Sequence, residues 1–152
     1  MLRITKIFHF ESAHAILEYD GKCRNIHGHS YELHVTVTRD HMTGDYLPAP
    51  SFIIDFKVLK QMIREEVIDK VDHQLLLSQA YLKEKQPGFT ANLLVLEAEP
   101  SAENLLIYFK RAIEKKLPAS LRLAGLKLFE TKDSYAEWVP GDTISAYSIT
   151  TR

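Results

Sequence analysis

Two alternating runs near the N-terminus restrict this chain more than anything else in it, because they share a phase and both carry histidine at one end. In the first, Ile4, Phe8, Phe10 and His14 have one parity. In the second, Tyr31, Leu33, Val35 and Val37 have the parity of His27 and His29. Alternation at period two marks a strand with one buried face. If both apolar faces enter one core, the histidine-bearing ends meet at its rim. Gly28, between the two histidines of the second run, permits a close approach of chain or ligand from the opposite face.

Three converging imidazoles with a fourth coordination position open form the ligand set of a catalytic zinc site. The expected metal ligands are therefore His14, His27 and His29, with Zn2+ as the cofactor. Cys23, four residues before His27, leaves two alternatives: it completes a closed structural Cys/His cage, or it stays free as a thiol for chemistry. His9, His34 and His41 follow no such pattern. Isolated strand histidines are ordinarily satisfied polar residues, and none of these three is assigned a role.

At 152 residues the chain is expected to form a single domain over 1–152, large enough for a core without staples. Charged residues make up 26% and the net charge is −1, so no overall field draws it to nucleic acid or membrane. The single cysteine excludes an internal disulfide and suits a reducing compartment. Met1 to Thr5 reads as the start of a strand rather than as a signal peptide, and no apolar run approaches a membrane span. The expectation is a soluble cytoplasmic protein.

Strands are predicted from Leu2 to Ala13 and from Tyr31 to Thr38, with a loop marked by Gly44 and Pro48-Ala49-Pro50. Asp55 is a candidate helix N-cap, with Phe56, Leu59, Ile63 and Val67 at helical spacing through about Val71. Ser101 is the candidate cap of a second helix, whose stripe is Leu105, Phe109, Ala112 and Ile113 and which Pro118 stops. Ser78 to Glu99 reads mostly as surface loop, with a short strand at Leu93 to Leu96. Leu121 to Thr131 reads as a strand that sets Leu126, Leu128 and Glu130 on one face, and a carboxylate there needs a partner. A turn at Asp133-Ser134, a return strand from Tyr135 to Val139 and an edge segment from Thr143 to Thr150 complete the pattern. The expected fold class is α+β: an antiparallel four-stranded sheet with two helices on one face. Its open edges favour closure by oligomerisation.

Several ordered motifs together resemble the family of the 6-pyruvoyl-tetrahydropterin and 6-carboxy-tetrahydropterin synthases. They are Phe10-Glu11-Ser12-Ala13-His14, the Cys23 to His29 run with Ser30-Tyr31, Ile54-Asp55-Phe56, Asp72-His73, Pro100-Ser101-Ala102-Glu103-Asn104 and Glu130-Thr131. The resemblance implies the tunnelling fold, in which subunits join their sheets into a β-barrel. It implies a homohexamer, a dimer of trimers, with active sites between subunits. It makes His14, His27 and His29 zinc ligands and Cys23 the catalytic thiol. Asp72 and His73 become its proton-handling partners from a neighbouring subunit, Glu130 the pterin anchor, and Ser101 a residue of the pterin pocket. Lys22, Arg24 and Lys132 are cations near these positions that serve equally well as solvated surface charges.

The three residues between Cys23 and His27 are similar to the spacing in bacterial 6-carboxy-tetrahydropterin synthases of the queuosine (7-deazaguanine) pathway. That branch implies a zinc-dependent lyase converting 7,8-dihydroneopterin triphosphate to 6-carboxy-5,6,7,8-tetrahydropterin, acetaldehyde and triphosphate. A 6-pyruvoyl-forming synthase is the alternative within the family, and a non-catalytic zinc- or pterin-binding protein the alternative outside enzymology. Aldolase-like cleavage is disfavoured by Cys23, because the resemblance associates that chemistry with a carboxylate at this position. The chain departs from the family pattern at Leu77, in the long segment 78–99 and in its tail beyond Val139.

Overall fold

The computed structural model describes residues 2–39, 46–88 and 91–141. Strand β1 (Arg3–His14) and strand β2 (His27–Arg39) pair antiparallel along their whole length. The register places Phe10 opposite Tyr31, Phe8 opposite Leu33, and His14 opposite His27. Directly opposed residues share a face, so the two phases read from the sequence coincide on one surface. Phe8, Phe10, Tyr31, Leu33, Val35 and Val37 are all buried in a single core.

The helices cover that surface. Helix α1 (Phe56–Ile63) starts at Asp55, whose carboxylate accepts the Lys57 N–H at 2.7 Å. It continues through a π-helical segment (Arg64–Ile68) into the short α2 (Asp69–Val71). The wider turn lets the consecutive Val67 and Ile68 both face the core, together with Leu59, Ile63 and Val71. Helix α4 (Ala102–Glu114), capped by Ser101, buries Leu105, Leu106, Phe109 and Ile113 against the same face.

The α+β class holds, but the sheet departs from expectation. It has six strands in the order β4-β3-β1-β2-β5-β6, and it is mixed rather than antiparallel. β3 (Gln74–Ser78) runs parallel to β1, and β4 (Leu93–Leu96) parallel to β3. β3 escaped the sequence pattern because Leu76, Leu77 and Ser78 are buried in succession. A parallel strand covered on both faces has no alternation to display. β4 matches its predicted position. Between them lies a helix where a loop was expected: α3 (Gln79–Lys85), with the Ser78 hydroxyl accepting the Tyr81 N–H at 2.9 Å. Gln86 ends it in a left-handed conformation (φ 43°). On the other side, β5 (Leu121–Phe129) and β6 (Tyr135–Trp138) form the predicted terminal hairpin. The expected segment Thr143 to Thr150, Gly44 and His41 lie outside the described residues.

Candidate functional site

His14 is the last residue of β1 and His27 the first of β2, so the strand ladder itself brings them together. His29, two residues on, presents its ring on the same face. Ring centroids are 4.6 Å apart for His14 and His27, 5.1 Å for His14 and His29, and 4.9 Å for His27 and His29. One ligand nitrogen from each falls within 4.8 Å of the others.

Hydrogen bonds settle which nitrogens are available. His14 Nδ1 lies 2.7 Å from the Pro100 carbonyl oxygen, and His27 Nδ1 lies 2.8 Å from that of Asn25. A carbonyl only accepts, so each Nδ1 carries the proton and each neutral ring keeps a bare lone pair at Nε2. Those two Nε2 atoms face each other at 3.1 Å. His14 is 2% exposed, and burial lowers its pKa, opposed by the Pro100 bond and by the nearby Glu130 charge. Two lone pairs aimed at each other, one of them on the buried His14, call for a shared cation. The pattern of Nδ1 held by a backbone carbonyl and Nε2 turned inward is the outer-shell arrangement of metal-bound histidine. The residues therefore fit a zinc ion with three nitrogen ligands.

Gly28 serves this geometry. A Cβ there would lie 3.3 Å from the Ser12 carbonyl oxygen, so the close approach anticipated at this position is that of strand β1 itself.

His14 opens onto a cavity of about 460 Å³ that Cys23, Ser101, Glu130 and Tyr19 also line. Glu130 sits just past the end of β5, with Oε1 3.7 Å from His14 Nε2. Its partner on the apolar face is Tyr31, whose hydroxyl donates to Oε1 at 3.4 Å. Burial, then the Glu130 charge, raises the Tyr31 pKa, which keeps this hydroxyl protonated as a donor. The Ser101 hydroxyl accepts the Asn104 N–H at 3.4 Å, so it caps α4 while lining the cavity. Cys23 lies half-buried in a single 3₁₀ turn (Lys22–Arg24). Its thiol is outside the group of converging ligand atoms, which among the described residues comprises the three imidazoles.

Asp72 and His73 stand elsewhere. They follow α2, with His73 in a left-handed conformation (φ 59°) that turns its ring back onto Asp72. His73 Nδ1 is 3.0 Å from Asp72 Oδ1, and the same oxygen accepts the Glu11 N–H at 2.9 Å. Neighbouring residues face each other here only because the helix ends between them. The His73 side chain is 76% exposed and lines a different open cavity of about 520 Å³, bordered by Glu11, Ser30 and His29. One chain thus gathers His14, His27 and His29, sets His14 on one cavity with Cys23, Ser101 and Glu130, and keeps Asp72 and His73 out of that cavity.

Sequence reasoning did not identify the supports. The Asn25 and Pro100 carbonyls carry no side-chain signal. Tyr31 had one: a hydroxyl in an otherwise apolar stripe beside His29. Glu99 had none, yet its carboxylate accepts the Leu17 N–H at 2.8 Å and the Ser78 hydroxyl.

Residues 3–140 match the family model described as 6-pyruvoyl tetrahydropterin synthase. The chain is 28% identical over 147 residues to a 6-carboxy-5,6,7,8-tetrahydropterin synthase of Haemophilus influenzae, across 91% of this chain and 99% of that one. It is 30% identical over 142 residues to the protein of the same name from Rickettsia bellii, across 90% and 99%. Among solved structures, the 6-pyruvoyl tetrahydropterin synthase of Caenorhabditis elegans superposes with a TM-score of 0.65 at 21% identity, covering 91% of this chain and 94% of that one. An uncharacterised protein from Wolinella succinogenes gives 0.72 at 16% identity, covering 91% and 98%. These structures share the fold.

Proposed function

The chain is an enzyme of the 6-pyruvoyl tetrahydropterin synthase family, and on that premise we propose that it is the zinc-dependent lyase of the carboxy-forming branch. The reaction is conversion of 7,8-dihydroneopterin triphosphate to 6-carboxy-5,6,7,8-tetrahydropterin, acetaldehyde and triphosphate, a step toward 7-deazaguanines. The observation that carries this reading is the pair of bare Nε2 atoms of His14 and His27, 3.1 Å apart, with His14 on the wall of the cavity that Cys23 and Glu130 also line. The relatives named 6-carboxy-5,6,7,8-tetrahydropterin synthase support the branch.

His14, His27 and His29 would hold the zinc, which when bound supplies a Lewis acid to the hydroxyl-bearing side chain of the substrate. Every other role falls to the protein. The Glu130 carboxylate accepts from the donor edge of the pterin, a charge-assisted pair that fixes the ring. Ser101 adds a hydroxyl beside it. Cys23, outside the ligand set, is free to carry a proton between substrate side chain and ring. Asp72 holds the proton on His73 Nδ1, which leaves Nε2 to act as the second acid or base.

An Asp72–His73 pair separated from Cys23 within one chain is what a site shared between subunits requires. The exposed edges β4 and β6 are consistent with closure of several sheets into a barrel, a homohexamer of two trimers. The same reading treats 1–152 as one domain in the cytoplasm. Among the described residues no helix is long and apolar enough to cross a membrane.

The test is a product assay with 7,8-dihydroneopterin triphosphate and zinc-loaded protein. Release of acetaldehyde with a 6-carboxy product is the expected result. Retention of the three-carbon side chain would move the chain to the pyruvoyl-forming branch. Absence of any conversion by the zinc-loaded protein would overturn the enzymatic reading in favour of a binding protein.

A further inference from the structure

Glu99 stands at a junction that the chemistry above does not use. Its carboxylate joins three segments far apart in sequence: it accepts the Leu17 N–H at 2.8 Å, accepts the Ser78 hydroxyl, and belongs to the turn that leads into α4. Its carbonyl takes the Asn104 side-chain N–H at 2.9 Å and the Ser101 N–H at 2.9 Å. The next residue, Pro100, is buried, and its carbonyl holds His14 Nδ1 at 2.7 Å.

The other end of this junction reaches the thiol. Ile16 N–H donates to the Cys23 carbonyl at 2.9 Å, and the following amide, Leu17 N–H, donates to Glu99. Two consecutive amides therefore bracket the loop that carries Cys23, one fastened to Cys23 itself and one to the Glu99 carboxylate. Glu99 is bonded to this bracket and directly precedes Pro100, whose carbonyl orients His14. The thiol loop is thus tied to the imidazole cluster twice, by the Ile16–Cys23 backbone bond two residues from His14 and by the Glu99 side chain.

We propose that Glu99 is a positioning residue that fixes the Cys23 loop relative to the His14, His27 and His29 cluster. The Ser78 hydroxyl at the end of β3 donates to the same carboxylate and steadies Glu99 in that role. Its part in turnover rests on the lyase reading; its part in geometry does not.

The experiment compares Glu99→Ala, Glu99→Gln and Ser78→Ala with wild type by three readouts: steady-state kinetics, alkylation of Cys23 by iodoacetamide in metal-free protein, and the visible absorption of cobalt(II)-loaded protein. Glu99→Ala should lower kcat about 10–100-fold with KM nearly unchanged, the usual cost of losing an outer-shell support. It should also speed alkylation of the half-buried thiol and shift the cobalt band. Glu99→Gln should stay close to wild type in all three, because its amide oxygen still accepts from Leu17 and its NH2 can donate to Ser78. Ser78→Ala should move each readout in the direction of Glu99→Ala, by less. Wild-type alkylation and cobalt spectrum in Glu99→Ala would overturn the proposal, as would a Gln variant as damaged as the Ala variant. If Glu99→Ala does not fold, an unchanged alkylation rate in Ser78→Ala overturns it. Alkylation and the cobalt spectrum need no pterin. Lack of turnover in wild type would therefore refute the lyase while these two still decide on Glu99.

Discussion

The two histidine-bearing regions at this end of the sheet are built by opposite strategies. The imidazole cluster on the inner face runs from the buried His14 to the half-buried His27 and His29, is fixed by a strand ladder, and has the rings of His14 and His27 held to backbone carbonyls. His73 on the other side is exposed, and only Asp72 holds its ring. Under the proposed function, a metal site gains from rigidity before the ion arrives, and a proton carrier that serves another subunit must stand out from its own surface. On that proposal, one half of the chemistry belongs to the fold of the single chain and the other half to assembly.

The sharpest way to break this contrast is to remove a ligand from the rigid half. His27→Ala should take zinc from one ion per chain to near none by elemental analysis, and turnover to background. Retained stoichiometric zinc would show that the cluster is not the metal site. Nearly as large an effect is expected from the thiol. Cys23→Ala should keep its zinc while losing about 10²–10⁴-fold in kcat, the range of a lost acid–base group. Loss of zinc and of the oligomer together would instead favour the closed Cys/His cage.

Mixing addresses assembly directly. Cys23→Ala and His73→Ala, each inactive alone, should regain part of the wild-type rate when unfolded and refolded together, because mixed oligomers rebuild some intact sites. No recovery in demonstrably mixed oligomers would place both residues of a working site in one chain. A smaller loss follows from Glu130→Gln. A hydrogen bond to a charged partner contributes about 1.5–3 kcal/mol, so pterin Kd should rise roughly 10–100-fold by fluorescence titration.

The smallest expected effect concerns pH. Burial lowers the His14 pKa below its ordinary value of 6.5 in the folded, metal-free protein. Below that value the unfolded chain binds more protons than the folded one, so stability declines as pH falls from 6.5 toward the folded pKa. The Tm of metal-free protein should therefore drop between about pH 7.5 and about pH 5.5, and His14→Gln should flatten that slope.

How much of this was legible in the sequence depends on how each residue is buried. β1 and β2 announced themselves because one face of each meets solvent, and the same alternation put His14, His27 and His29 in phase. Asp55 and Ser101 were readable as caps because their side chains bond the next turn. β3 was not readable, since Leu75-Leu76-Leu77 is apolar without a period. α3 was read as loop, because the mixed composition after Ser78 hid a helix of seven residues. Within the site, side-chain types and spacing singled out His14, His27 and His29, whose rings the structure brings together. The carbonyls of Asn25 and Pro100 that aim the rings belong to the backbone, and only coordinates reveal them. The separation of Asp72–His73 from Cys23 is likewise a property of sheet faces rather than of spacing.

Placing two ligands on facing rungs of the β1–β2 ladder has a consequence for how quickly the ion is captured. The conformational entropy of bringing His14 to His27 is lost when the hairpin zips, during folding, rather than at the moment of coordination. Metal uptake then asks for desolvation of the ion and little rearrangement of the chain, so a hairpin loosened at Gly28 would slow loading before it weakened the final complex.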